Sequence, residues 1–125
     1  MKNLDTNQLI TNLNATLATL PGTTPTSLNA TSTTQGCITT TTAHFTPDLL
    51  DPDNFDNWDQ NFLALQDSIT NTLQDLGYHC SILQLGVLDQ VLITAQDEPD
   101  GDTYAHILLT FWDGEYALTI TAFAL

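Results

Sequence analysis

YAHILLTFWDGEYALTITAF, residues Tyr104 to Phe123, decides the fold. Its second half alternates, with Tyr116, Leu118, Ile120 and Ala122 on one side of an extended chain and Ala117, Thr119, Thr121 and Phe123 on the other. Asp113-Gly114 is a favoured two-residue hairpin turn, so Tyr104 to Trp112 and Tyr116 to Phe123 read as paired antiparallel strands. Upstream, the same period of two places a further pair at Tyr78 to Leu85 and Gln90 to Gln96, around Gly86-Val87-Leu88-Asp89.

Before Gly77 the period is 3.6. Phe55, Trp58, Phe62, Leu65, Ile69, Leu73 and Leu76 recur at three- and four-residue steps over about six turns. Asp51-Pro52 supplies a cap followed by proline at the first helical position, and Gly77 a left-handed stop. Cys37 to Phe45, rich in threonine and bounded by Gly36 and Pro47, reads as an edge or half-exposed strand. A shorter helix is expected over 5–20. Asp5 and Gln8 have the spacing of a capping box there, Leu4 and Leu9 that of a hydrophobic staple, and Leu9, Leu13, Leu17 and Leu20 form one apolar stripe before Pro21-Gly22. Residues 21–35 are Thr, Ser, Pro and Asn with one large apolar side chain, Leu28, and read as a linker or loop. The expected architecture is α+β: one domain over 1–125, with a mostly antiparallel sheet of four to five strands packed on one long helix and an additional N-terminal helix.

Charge is the informative total. Fifteen carboxylates face one basic side chain, Lys2, there is no arginine, and the net charge is −14. Such a charge opposes compaction through self-repulsion and exceeds the magnitude of about 2–8 that solubility asks of a small domain. It argues against direct binding of nucleic acid, whose affinity comes mostly from Lys and Arg, and against anionic membranes. Halophilic adaptation explains it poorly, because only Glu98 and Glu115 accompany the aspartates and leucines are many. The amino terminus, Met1-Lys2-Asn3-Leu4-Asp5, has no signal-like segment and no apolar run approaches a membrane span, so a cytoplasmic location is expected. The sequons at Asn14 and Asn29 then carry no meaning.

Eleven of the fifteen carboxylates fall in two places. Asp48, Asp51, Asp53, Asp56, Asp59, Asp67 and Asp75 lie on or just before the long helix, largely off its apolar stripe. Neighbours three and four apart on a helix are about 5–6 Å apart, near the spacing of phosphates along a nucleic-acid strand. The helix dipole alone favours aspartates in the first turns, and explains Asp51, Asp53 and Asp56 better than Asp67 and Asp75. The second cluster, Asp97-Glu98-Pro99-Asp100-Gly101-Asp102, lies between the strand pairs and lacks the ligand spacing of a calcium loop.

His44, His79, His106, Cys37 and Cys80 match no zinc spacing, a Cys37–Cys80 disulfide is unexpected in a reducing compartment, and no nucleophile elbow or phosphate loop is present. No catalytic residue, metal or cofactor is expected. In size and charge the chain resembles small acidic anti-CRISPR and other phage-encoded anti-defence proteins, without any shared motif. That resemblance implies an inhibitor that mimics nucleic acid and covers the basic surface of a target such as a nucleic-acid-binding effector complex or nuclease. Asp53, Asp56, Asp59 and Asp67 on the helix and Asp97, Glu98, Asp100 and Asp102 in the loop are its expected contacts. An immunity protein neutralising a toxic nuclease fits the same composition. An acidic secretion chaperone is a third class, and needs an exposed apolar surface.

Overall fold

The computed structural model describes residues 4–20, 28–45, 58–85, 90–112 and 115–124, with the side chains of Trp58 and Asp59 outside that description. The elements run α1 (Thr6–Leu17), β1 (Ala30–Gln35), β2 (Ile38–Phe45), α2 (Trp58–Asp75), β3 (His79–Leu85), β4 (Gln90–Gln96), β5 (Thr103–Trp112) and β6 (Glu115–Phe123). The six strands form one antiparallel sheet in the order β1-β2-β6-β5-β4-β3.

Two expectations are corrected. The sheet has six strands rather than four to five, and no single long helix covers it. α1 and α2, of 12 and 18 residues, share the cover and pack on each other. The extra strand is β1, inside the stretch that reads as a linker. Its sequence, ATSTTQ, has no large apolar residue and so no alternation to detect, but its β-branched threonines suit a pleated chain. Gln35 pairs with Ile38 across Gly36-Cys37, and Gly36, at φ +61°, supplies the conformation that a type II′ hairpin turn requires at its first central position. The start of the α2 pattern at Asp51-Pro52 and the Asp113-Gly114 turn lie outside the described residues; Trp112 and Glu115 on either side of that turn pair with each other.

One face of the sheet carries the core. Thr41, Ala43 and Phe45 of β2, Tyr116, Leu118 and Ile120 of β6, Ala105, Ile107 and Leu109 of β5, and Val91, Ile93 and Ala95 of β4 are all buried. The helices bring Leu9, Leu13 and Leu17 from α1 and Phe62, Leu65, Ile69 and Leu73 from α2. Each such large side chain contributes about 1.5–3 kcal/mol of burial. The threonines that alternate with these residues face the other way, and that second face has no helix over it among the described residues.

The ends of the helices follow from their sequence. Asp5 caps α1, its Oδ1 accepting from the Gln8 amide at 3.0 Å. α2 closes in a Schellman pattern, with the Tyr78 amide donating to the Leu73 carbonyl at 2.9 Å, that of Gly77 to Gln74 at 3.0 Å, and Gly77 at φ +91°. The uncharged Asn and Thr positions of α1 are not merely solvated: Asn12 Nδ2 donates to Thr72 Oγ1 of α2 at 2.9 Å, and Asn14 Oδ1 accepts from the Leu28 amide at 2.7 Å.

Candidate acidic binding surface

The turn joining β4 to β5 is built by four residues in order. The Gly101 amide donates to the Glu98 carbonyl at 2.9 Å, Pro99 occupies the second position, and Asp100 the third at φ +63°. That is the type II pattern, which asks for positive φ at the third position. Asp is one of the few side chains that tolerate this conformation. A Cβ added at Gly101 would meet the Asp97 carboxylate and the Glu98 side chain, both of which would have to move aside. Asp97, Glu98, Asp100 and Asp102 are all exposed. Asp100→Gly is expected to leave stability unchanged or slightly raised, whereas Asp100→Val is expected to cost about 1–2 kcal/mol. Urea midpoints of the two variants check this.

Pairing of His79 with Gln96 sets the start of β3 beside the end of β4, and the Tyr78 and Tyr104 rings meet at 5.5 Å. The end of α2 and the β4–β5 turn therefore share one end of the molecule. Asp75, the last residue of α2 and exposed, joins Asp97, Glu98, Asp100 and Asp102 there. No basic residue lies in the last turn of α2. This is the negative end of the helix dipole, where carboxylates are unfavourable, so the dipole does not explain the cluster.

Asp67 is exposed on α2, eight residues before Asp75 and so about 12 Å away along the helix axis. It is on the same helix but not within the cluster. Asp59 lies in the first turn of α2, its side chain outside the described residues, and Asp53 and Asp56 lie outside them altogether. The continuous acidic row expected on the helix is thus represented, among described side chains, by Asp67 and Asp75. Asp75 belongs with the turn through strand pairing, a proximity that the hairpin between Tyr78 and Gln96 encodes.

The other polar groups do not assemble into a reaction centre. His44 Nδ1 and Glu115 Oε1 make a 2.9 Å pair, the one ion pair among the described residues, with both side chains more than half exposed. Such pairs are held weakly in water. His106 bonds Thr94 Oγ1 through Nδ1 at 3.3 Å and sits edge-on to the Phe123 ring, and His79 starts the outermost strand. Cys37 and Cys80 are free thiols at opposite edges of the sheet, in the β1–β2 turn and in β3. Burial pushes the Cys80 thiol up, and its Sγ donates to the Thr70 carbonyl at 3.9 Å, so it is held protonated rather than activated. Burial, with a smaller contribution from Tyr104, likewise raises Tyr78. A groove of about 370 Å³ at the start of α1 is lined by Asp5, Thr and Ser hydroxyls and Phe123. Among the described residues no three His, Cys, Asp or Glu side chains converge as metal ligands, and no helix is long and apolar enough to cross a membrane. Compared with protein-family models, with curated proteins and with solved structures, the chain matches none.

Proposed function

We propose that this chain is an acidic inhibitor that occupies the basic, nucleic-acid-binding surface of a target protein. The observation that carries the reading is the grouping of Asp75, Asp97, Glu98, Asp100 and Asp102 at one end of the molecule. There they are exposed, no basic residue lies in the last turn of α2, and Asp75 stands against the dipole of that helix. At Asp75 the placement is unfavourable to the fold itself, which supports a use in binding. The turn mounts its carboxylates close together on a hydrogen-bonded backbone, and a complementary Arg- and Lys-lined surface can meet them with short charge-assisted bonds. Long-range attraction from a −14 body speeds the encounter.

The test uses the tagged full chain as bait in a lysate of the cells that produce it. The expected result is a basic nucleic-acid-binding protein retained at about 0.1 M salt and released towards about 1 M, as the screening length falls from ~10 to ~3 Å. The identity of the captured protein, a defence effector or a toxic nuclease, then assigns the biological setting. Retention unaffected by salt, or a captured protein without a basic surface, refutes the proposal.

A further inference from the structure

The strand register lines up one isoleucine from each of four neighbouring strands: Ile82 of β3, Ile93 of β4, Ile107 of β5 and Ile120 of β6. The last three are 0% exposed, but Ile82 is 50% exposed, so the central row of the core runs out into solvent at the sheet edge. On the opposite face the row Leu108, Leu92, Leu83 ends the same way, with Leu83 56% exposed. β3 pairs with β4 along its whole length, and among the described residues no strand occupies its other side.

Soluble proteins blunt such edges with charge, proline or a bulge. β3 reads HCSILQL: it holds none of the fifteen carboxylates, no lysine and no proline. The other edge, β1, is equally uncharged but offers only Ala, Ser, Thr and Gln, and pairing there would bury little apolar surface.

We propose that β3 pairs antiparallel with β3 of a second copy of this chain, across a two-fold axis at Ile82, making one continuous sheet of two six-stranded halves. The strand is self-complementary about its centre. Ile82 is its middle residue, so Ile82 meets Ile82 of the second copy on the helix-covered face, Cys80 meets Gln84, and Leu83 meets Ser81 on the open face. Side chains directly opposite in such a pair lie about 4.5–5.5 Å apart, which closes the isoleucine row over both copies.

Charge selects this occupant and this orientation. A basic partner finds no carboxylate on β3, whereas two −14 chains can approach only where charge is absent. The acidic cluster lies beyond the His79 end of the strand. Antiparallel pairing sends the two clusters to opposite ends of the joined edge, about 20 Å or more apart at ~3.4 Å per residue. That exceeds the screening length of about 8 Å at physiological salt. Parallel pairing would set the clusters side by side.

Sedimentation equilibrium of the full chain at about 0.1 M and about 1 M NaCl tests the inference, since screening removes the repulsion that opposes self-association. A dimer that tightens with salt is expected, the reverse of the salt effect on a basic partner. Ile82→Lys places like charges opposite each other and removes the apolar contact, and is expected to weaken the dimer at least about 100-fold. Ile38→Lys, at an exposed apolar site on β2, is expected to leave it intact. Circular dichroism checks that both variants fold. In a Cys37→Ser, Cys80→Ser background, Ile82→Cys is expected to form a disulfide-linked dimer on mild oxidation, which keeps the inference testable should Ile82→Lys unfold. A monomer at both salt concentrations overturns the proposal. So does a dimer indifferent to Ile82→Lys, one broken by Ile38→Lys, or an absence of the cross-link.

Discussion

Replacing Asp75, Glu98 and Asp102 together by lysine is expected to abolish binding to the basic target while leaving the melting temperature equal to or above that of the parent chain. Each carboxylate that makes a charge-assisted contact is worth about 2 kcal/mol to the complex, or about 30-fold in affinity. Two such contacts among the three already carry a nanomolar complex to about the micromolar range. Stability moves the other way. Each reversal moves the net charge of −14 two units towards neutrality, and lysine at the end of α2 meets the dipole favourably, by about 0.3–1 kcal/mol. Asp97 and Asp100 are left alone, since Asp97 packs on Gly101 and Asp100 holds the positive φ of the turn. A binding titration and a thermal melt on the same preparation read both effects. Unchanged affinity in a folded triple variant contradicts the role given to this end of the molecule.

The largest stability effects belong to the core. Phe62→Ala is expected to cost about 3–5 kcal/mol and Ile107→Ala about 2–5 kcal/mol, because both side chains are sealed between helices and sheet. Domains of this kind have about 5–15 kcal/mol in total, and here self-repulsion lowers that reserve, so either change brings the chain close to unfolding. Ile82→Ala is the internal control. It belongs to the same row of isoleucines as Ile107 but is half exposed, and in dilute protein it is expected to cost less than about 1 kcal/mol. Urea midpoints of the three variants check the contrast, and equal losses at positions 82 and 107 would contradict the placement of the sheet edge.

Elements with strong periodicity were legible from residue types alone. The alternation after Gly77 places four strands whose observed limits differ from those expected by one residue at most, because a half-buried strand must repeat every second residue. Asp5 is legible as a cap for the same local reason. β1 was not, since periodicity detects burial and every residue of β1 is exposed; threonine β-propensity was the only trace it left. The division of the sheet's cover between two helices also escaped, because the stripe of α1 says that it packs but not on what. In the candidate site, the turn acids were legible as a charged cluster. Their union with Asp75 depends on the β3–β4 register, which joins residues far apart in the chain. Exposure of Ile82 was illegible too, as alternation marks a residue for the core face without saying whether a helix reaches that edge.

Competition between this chain and nucleic acid for the captured target tests the mimicry most directly. The chain is titrated into a preformed complex of the target with a fluorescent oligonucleotide, and anisotropy is followed at several salt concentrations. The expected result is full displacement of the oligonucleotide, with the chain's affinity falling steeply as salt rises. A ternary complex in which the oligonucleotide stays bound, or an affinity indifferent to salt, contradicts it.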